Sequence, residues 1–270
     1  MITIKKPEEI ETLREGGRRL ASVLVEIAAA VKPGVSTSFL NRLAEQLIAE
    51  AGGEPSFKGY NPYGAKAAYP AALCVSINDE VVHAIPKHDR ILAEGDIVGL
   101  DVGMWWPGEK LKIKNEKLKM TRAMATDTAV TVCVGKISSQ AEKLIRVTRE
   151  SLTLGIKEIC AGARIGDVGA AIQAHLEKNG FGVVRDLSGH GVGHAVHEDP
   201  FVPNFGRRGE GLQLKEGMVL AIEPMATEGT WEVTLDEDEW AYRTADGKLA
   251  AHFEHTVIVG KNSAEVVTTA

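Results

Sequence analysis

Cysteine is scarce in this 270-residue chain, which contains only Cys74, Cys133 and Cys160. An odd number of widely spaced cysteines argues against a disulfide framework and favours a reducing compartment. No apolar run approaches the roughly 20 residues needed to span a bilayer, and the N-terminal stretch MITIKKPEEIETLREGG carries too much charge for a signal peptide. We therefore expect a cytoplasmic protein that does not enter a membrane.

A surplus of positive charge is also absent. The 31 Lys and Arg residues are outnumbered by 37 Asp and Glu, which gives a net charge of −6 and excludes a general nucleic-acid-coating role. Hydrophobic residues make up 44% and charged residues 25% of the chain, values that exclude long disorder, collagen and coiled coil. No linker-like segment divides the sequence, so we expect one domain over residues 1–270.

The hydrophobic pattern predicts two pairs of helices, each followed by strands. The first pair ends near Pro33-Gly34 and Gly52-Gly53, and the second pair covers about 139–160 and 167–179. Short runs rich in branched residues predict strands at 72–77, 97–104, 127–134, 218–223 and 254–259. This order predicts an α+β protein with two similar halves that share one core.

A basic segment at residues 108–122 interrupts two strands that otherwise form a hairpin. It holds six Lys or Arg against two Glu, a local charge of +4. Lysines alternate with apolar residues, which predicts an extended ribbon with one charged face. Such a ribbon either contacts a phosphate-rich partner or is a solvated hairpin tip whose lysines discourage edge pairing.

Four carboxylates stand in or beside apolar strands: Asp101, Asp127, Glu223 and Glu254. A single acid at a strand end is usually solvated or in a salt bridge, because buried acids require a partner or a metal. Four acids in such positions favour a shared cation. Strand alternation places Asp101 on one face with Gly99 and Gly103, and small neighbours leave room for an ion and a substrate.

The string GHGVGHAVHEDP at residues 189–200 alternates three histidines with small residues. It lacks the His-Glu-x-x-His spacing of zinc peptidases, and His190 and His197 are far enough apart that they need not bind the same ion. A site with four carboxylates and one histidine suits Mn(II), Fe(II) or Co(II) better than structural zinc. Four carboxylates also balance the charge of two divalent ions.

Several longer motifs resemble those of type I methionine aminopeptidases. They are SINDEVVHAIP (76–86), GDIVGLDVG (95–103), GHGVGHAVHEDPFVPNFG (189–206), LKEGMVLAIEPM (214–225) and FEHTVIV (253–259). The resemblance extends over nearly the whole chain. It implies the pita-bread fold, in which two pseudo-symmetric halves share a central curved antiparallel sheet flanked by helices.

The resemblance also implies two divalent metal ions, such as Co, Mn or Fe(II), and five ligands. Asp101 would hold one ion, and His190 and Glu223 would hold the other. Asp127 and Glu254 would bridge the two ions. The separation of 26 positions between Asp101 and Asp127 exceeds the usual short hairpin, so two other acids of this region, Asp79 and Asp96, are alternatives to Asp127.

The implied activity is that of a metallo-exopeptidase that removes N-terminal methionine from nascent proteins and peptides whose second residue is small. A hydroxide that bridges the metals would attack the first peptide bond. Glu223 would also be the general acid and base, His83 would contact the substrate near the scissile bond, and His197 would stabilise the developing oxyanion. For the remaining histidines we expect surface or supporting roles: His88, His175, His194, His252 and His255.

The resemblance implies a methionine pocket that includes Tyr69, Cys74 and Trp240. Val196 stands where the family often has Phe, which would widen or reshape this pocket. The role of Tyr60 is left open, because residues 61–68 form a longer loop than the family's. The expected partners are nascent polypeptide N-termini and, through residues 108–122, the ribosome; we expect a monomer.

Two other functions fit parts of these motifs. Proline-specific peptidases share the fold but usually carry an additional N-terminal domain of about 100 residues or more, for which this chain has no room. Non-catalytic pita-bread proteins bind RNA or protein after losing metal ligands. All five ligand positions are filled here, which favours an enzyme.

Overall fold

The computed structural model describes residues 2–62, 66–118 and 121–269. Expectations for Lys119, Met120 and residues 63–65 therefore lie outside the described residues. The α-helices of the described part are α1 (Pro7–Ala29), α2 (Thr37–Glu50), α3 (Glu109–Lys114), α4 (Ser139–Lys157) and α5 (Ile165–Lys178), and a short 3-10 turn covers Glu116–Leu118.

The strands belong to one large sheet and two small ones. In chain order they are β1 (Glu54–Pro55), β2 (Leu73–Ile77), β3 (Glu80–Val82), β4 (Ile97–Trp106), β5 (Met124–Cys133), β6 (Gly182–Val183), β7 (Ser188–Gly191), β8 (Glu198–Pro203), β9 (Val219–Ile222), β10 (Met225–Thr227), β11 (Val233–Leu235), β12 (Tyr242–Thr244), β13 (Ala250–His252), β14 (Glu254–Val259) and β15 (Ala264–Val266).

The large sheet has nine strands, all paired antiparallel. Seven follow the order β1-β4-β5-β14-β9-β7-β8, while β2 pairs with β4 and β15 pairs with β14. Strands β13-β10-β6 and β11-β12-β3 form the two smaller sheets. Since β4 and β5 come from the first half of the chain and β14, β9 and β7 from the second, the two halves meet in the middle of the large sheet.

Each helix pair packs with strands of its own half, as the periodicity predicted. Leu20 of α1 and Leu40 of α2 join Leu100 of β4 in one buried cluster. Leu144 of α4 and Ile172 of α5 join strands of the second half in another. Ser residues accept from the first turns of α2 and α4, where Ser36 and Ser138 are the N-caps.

Helix α1 carries two glycines where it crosses the sheet. A Cβ on Gly17 would lie 2.5 Å from the carbonyl oxygen of Val267, and a Cβ on Gly16 would lie 3.2 Å from Cβ of Trp106. The gap that these glycines leave in the helical pattern therefore allows close approach of the helix to β4 and to the C-terminal segment. This close approach explains why two glycines, which have a low helix propensity, stand inside α1.

The prediction of an extended ribbon over residues 108–122 is wrong for the described part of that segment. The chain forms α3 and the 3-10 turn instead. Pro107, which lacks an N–H group, follows the last residue of β4 and cannot continue the ladder. Leu111 and Leu118 then pack against the cluster of the first half. These two leucines hold the short helical segment on the protein, while most of its described lysines face solvent.

In the described residues, none of the helices combines the length and the apolar character that a bilayer crossing requires.

Candidate metal centre

Antiparallel register brings acids from distant parts of the chain into one row across the large sheet. Cys74 on β2 lies opposite Asp101 on β4, Asp101 lies opposite Ala129 on β5, and Ala129 lies opposite Glu254 on β14. All four side chains leave the same face, because directly opposed residues point the same way. Small Ala129 thus separates two carboxylates and leaves space above the sheet.

Asp127 lies two residues before Ala129 on β5 and therefore points to the same face. Its cross-strand neighbour is Gly103. A Cβ on Gly103 would lie 2.2 Å from Oγ of Ser56 and 2.7 Å from Cε1 of Phe57. Glycine here allows Ser56 and Phe57 to approach the strand directly beside the carboxylate.

The second half of the chain supplies a histidine and a further acid. His190 lies on β7, and Glu223 follows directly after β9. His190 Nε2 is 3.5 Å from Glu223 Oε1, and ligand atoms of Asp127, His190 and Glu254 all lie within 4.8 Å of one another. The structure thus brings together residues that are up to 127 positions apart, counted from Asp127 to Glu254.

The ring of His190 is oriented by its own backbone. Nδ1 lies 2.9 Å from the carbonyl oxygen of Gly191, and since a carbonyl only accepts, Nδ1 carries the hydrogen. Nε2 is therefore the nitrogen with the free lone pair, as a metal-binding histidine requires. Burial lowers the pKa of His190 to about 3, so the ring is neutral at physiological pH.

The carboxylates are buried and short of partners. Exposed fractions are 8% for Asp101, 4% for Asp127 and 2% for Glu254. One oxygen of each, namely Asp101 Oδ1, Asp127 Oδ1 and Glu254 Oε1, has no hydrogen-bond partner. Buried anionic oxygens without donors are costly unless a cation faces them, so this donor set fits a divalent metal site.

The pKa values of the acids are raised, as expected for buried carboxylates that lack partners. Burial raises the pKa of Asp101 to about 6 and that of Glu223 to about 8. Burial, followed by the charge of neighbouring acids, raises the pKa of Asp127 and of Glu254 well above the ordinary range. These shifts arise because several carboxylates share a site of low dielectric constant.

A cavity of about 310 Å³ opens above the acids, and much of its wall is apolar. Tyr69, Cys74 and Trp240, the predicted pocket residues, all line it. The rings of Tyr69 and Trp240 meet edge to face with centroids 5.1 Å apart. Val196 is buried in the cluster behind this wall, with Tyr69 and Cys74, so it shapes the pocket from outside.

His83 and His197 also line the cavity. Burial lowers the pKa of His83 to about 3, and desolvation lowers that of His197 to about 4. His83 has a φ of +62°, an uncommon value for a residue with a side chain and one that is often found at functional sites. The rings of His190 and His197 are in edge contact with centroids 4.3 Å apart, closer than their spacing in sequence required.

The alternative acids of the first half lie elsewhere. Asp96 accepts from the side chain of Asn78 and from the backbone N–H of Ala93, and Asp79 pairs with Arg243. Neither lines the cavity in the described part of the chain. Asp127, in contrast, is the acid of this region that the structure brings to the cluster.

Three of the five other histidines have polar partners on or near the surface: Ser38 for His88, Glu150 for His175 and Glu9 for His194. His255 faces Thr268. His252 is buried, and its Nε2 lies 3.5 Å from Glu223 Oε2, beside a predicted metal ligand. The motif FEHTVIV begins one residue later, and that adjacency is the only sequence signal for it.

Sequence reasoning did not assign Phe57 and Tyr242, which also line the cavity. Phe57 lies in the segment before Tyr60, and Tyr242 is on β12, where its ring lies 6.1 Å from that of His83. An aromatic residue in a loop or short strand carries no pattern that separates a cavity wall from ordinary packing.

Comparison with known proteins identifies the family. A model of metallopeptidase family M24 matches residues 11–109 and 118–261. The chain belongs to this family. The M24 match omits residues 110–117, which lie inside the basic segment and hold most of α3. The family model thus leaves part of the basic segment between β4 and β5 unmatched.

The relatives within this family are methionine aminopeptidases. The enzyme of Clostridium acetobutylicum is 44% identical over 268 residues, with 99% of each chain covered. A crystal structure of methionine aminopeptidase from Thermotoga maritima covers 100% of both chains at 41% identity, with a TM-score of 0.89. The predicted resemblance and the pita-bread fold are confirmed.

A more distant solved structure shares the fold alone. The Xaa-Pro dipeptidase from Bacillus anthracis is 20% identical, with a TM-score of 0.73, and the match covers 99% of this chain but 62% of that one. This chain thus shares its fold with a proline-specific peptidase, but its sequence identity to the methionine aminopeptidases is about twice as high.

Proposed function

We infer that the protein is a metal-dependent aminopeptidase that removes the N-terminal methionine from polypeptides. The observation that carries this inference is one cavity lined by two unlike sets of side chains. The first set is the acids with His190, and some of their buried oxygens lack partners. The second set, Tyr69, Cys74 and Trp240, suits a methionine side chain, whose sulfur contacts aromatic rings favourably.

We propose that the cavity holds two divalent ions and that Asp101, Asp127, His190, Glu223 and Glu254 would hold them. Four carboxylates balance the charge of two such ions, and their oxygens suit Mn(II), Fe(II) or Co(II). When bound, the ions would lower the pKa of water and polarise the carbonyl of the scissile bond.

The protein's own groups would orient the peptide and move protons. Glu223, which is 12% exposed and next to His252, would accept a proton and return it to the leaving amine. His197 would donate a hydrogen bond to the carbonyl oxygen as negative charge develops there. His83, which lines the cavity, would contact the peptide near the scissile bond.

The function is tested by titrating the chain with Mn(II), Fe(II) or Co(II) and following release of methionine from Met-Ala-Ser. Glu223→Gln should keep the fold and lose turnover, since a positioned acid and base typically contributes about 10²–10⁴-fold. Glu8→Gln, at an exposed position in the first turn of α1, is the control and should match the parent. Retention of more than about a tenth of the kcat by Glu223→Gln at saturating metal would contradict its role.

Substrate selection is tested with a matched pair of peptides. We propose that a small second residue is required, so Met-Ala-Ser should be cleaved and Met-Ile-Ser should not. A branched second side chain would have to fit beside His83 and His197 in a cavity of about 310 Å³. Equal kcat/KM for the two peptides would contradict this specificity while leaving the aminopeptidase activity in place.

We propose further that nascent chains are the substrates and that the basic segment helps the enzyme reach the ribosome. Five of its cationic residues are described: Lys110, Lys112, Lys114, Lys117 and Arg122. Lys112 pairs with Glu109 at 2.8 Å, and the lysines at positions 110, 114 and 117 are exposed. A cationic helix on an acidic protein suits contact with RNA phosphate.

Ribosome co-sedimentation tests this second proposal. Phosphate contacts release counterions, so binding should weaken steeply with added salt. Replacing the exposed lysines by Gln should weaken binding at low salt, while kcat/KM for Met-Ala-Ser should barely change, because no described residue of this segment lines the cavity. If the Gln variant sediments as well as the parent, the segment is only a solvated cap on the β4–β5 connection.

A further inference from the structure

Tyr60 makes a short contact with a histidine of the cavity. Its Oη lies 2.6 Å from Nδ1 of His197, and the two rings meet at 64° with centroids 5.0 Å apart. Both residues line the cavity, although they are 137 positions apart in the chain. The distance is typical of a strong hydrogen bond to a hydroxyl group.

The direction of this hydrogen bond depends on which ring nitrogen of His197 carries the hydrogen. Among the described residues, Nδ1 of His197 is the one acceptor that the Tyr60 hydroxyl meets. Burial raises the pKa of the Tyr60 phenol, and it therefore keeps that hydrogen at neutral pH. A neutral imidazole that accepts at Nδ1 carries its own hydrogen on Nε2.

The position of Tyr60 is fixed by the backbone on both sides of it. Its N–H donates to the carbonyl of Phe57 at 2.9 Å, and its carbonyl accepts from the N–H of Tyr69 at 2.8 Å. The N–H of Gly59 donates to the carbonyl of Tyr69 at 2.8 Å. The base of the long loop is thus closed by paired hydrogen bonds, and Tyr60 stands at this closed base.

We propose that Tyr60 is a positioning residue that holds His197 in the tautomer with its hydrogen on Nε2. This nitrogen is then a donor for the carbonyl oxygen of the peptide, whereas the other tautomer would present a lone pair to a developing negative charge. The kinetic consequence rests on the proposed function; the tautomer itself does not. Tyr60 thereby acquires a role beyond that of a wall of the methionine pocket.

The tautomer is tested directly by ¹⁵N NMR of the full-length chain labelled at histidine, with and without Zn²⁺. Loss of one signal set in His197→Gln assigns the resonances. The parent should show hydrogen on Nε2 alone, and Tyr60→Phe should show shifts averaged between the two tautomers. Tyr242→Phe removes a hydroxyl from another tyrosine of the cavity and should leave the His197 shifts unchanged. Hydrogen on Nδ1 in the parent, or identical shifts in Tyr60→Phe, would overturn the proposal.

Kinetics test whether the contact acts through His197. Loss of an oxyanion donor typically costs about 10²–10³ in kcat, and misorientation should cost a part of this. We expect Tyr60→Phe to lower kcat about 10-fold with little change in KM. In a His197→Ala background the same change should have no further effect. Additive losses would show that Tyr60 acts independently and would overturn the positioning role. If the parent cleaves no methionyl peptide, the proposed function fails while the NMR result still decides the tautomer.

Discussion

Lys5 Nζ lies 2.7 Å from Glu198 Oε2 in a pair that is almost fully buried, with side chains 1% and 7% exposed. Thr3 Oγ1 donates to the same oxygen at 2.7 Å. The other carboxylate oxygen accepts from the backbone N–H groups of His194 and Ala195. The N-terminal arm therefore fixes the loop between β7 and β8, which carries His197 of the cavity, and the pair links the first residues of the chain to the site.

Lys5→Met should strongly destabilise the protein. The change leaves Glu198 buried without its cation, and breaking a buried pair in this way typically costs about 3–5 kcal/mol. Denaturant unfolding, compared at one pH and one metal concentration, measures the free energy of unfolding.

The exposed pair of Arg14 and Glu265, also at 2.7 Å, is the matched control. Arg14→Met should cost at most about 1 kcal/mol, since exposed pairs contribute little. Replacing both Lys5 and Glu198 by apolar residues should recover much of the loss. Equal destabilisation by Lys5→Met and Arg14→Met would show that burial of the first pair has no energetic consequence.

Sequence reasoning reached the acids of the site because each stands in or beside an apolar strand, where a charge needs a partner. Period-two alternation then put Asp101 and Asp127 on the side of small neighbours, and the register of β4 with β5 has that arrangement. The ligand roles themselves remain predictions. Helix pairs were equally accessible, since their periodicity is long, and the structure caps α2 at Ser36 and α4 at Ser138.

Other features could not be read from the sequence. Lysine and leucine are compatible with a short helix as well as with an extended ribbon. What favours the helix α3 is Pro107 at the end of β4 and the packing of Leu111 and Leu118. The contact of Tyr60 with His197 depends on how two distant loops meet, and local pattern carries no information about it. The burial of His252 beside Glu223 has the same origin.

Metal binding should release protons at neutral pH. Burial raises the pKa of Glu223 to about 8, so this carboxyl is mostly protonated at pH 7, whereas a metal requires the ionised form. Calorimetry with Mn²⁺ in buffers of different ionisation enthalpy should detect release of at least about one proton at pH 7 and less at pH 9. Glu223→Gln should release fewer protons. A buffer-independent enthalpy at pH 7 would contradict the raised pKa.

The same shift gives the metal-free protein a defined pH dependence. The folded pKa of Glu223 lies above its ordinary value of 4.5, so its stabilising contribution is complete below that pH and is lost as the pH rises towards about 8. With a chelator present, the free energy of unfolding should be lower at pH 9 than at pH 6. Saturating Mn²⁺ should reduce this difference, and Glu223→Gln should flatten it.

Gly103→Ala should disturb the site although it adds only a methyl group. The new Cβ would lie 2.7 Å from the ring of Phe57, which lines the cavity, and overpacking of this kind costs about 1–3 kcal/mol. Gly99→Ala, on the same face of β4, is the control, because its nearest neighbour would be Ser76 Cβ at an ordinary 3.6 Å. We expect a lower free energy of unfolding and a higher KM for Met-Ala-Ser in Gly103→Ala alone. Equal effects of the two changes would contradict this reading of the close approach.

Asp127→Asn should abolish tight metal binding, while Asp96→Asn should not. Asp127 is 4% exposed and has an unpartnered oxygen within the cluster, and an amide there supplies a weaker ligand without charge. Asp96 instead holds the turn before β4 through Asn78 and Ala93, so its loss should lower stability and leave metal content intact. Metal content after gel filtration in excess Mn²⁺ compares the two variants at the same side-chain size. The opposite result would make Asp96 the metal ligand in place of Asp127. It would mean that the ligand had been assigned to the wrong side of the basic segment at residues 108–122.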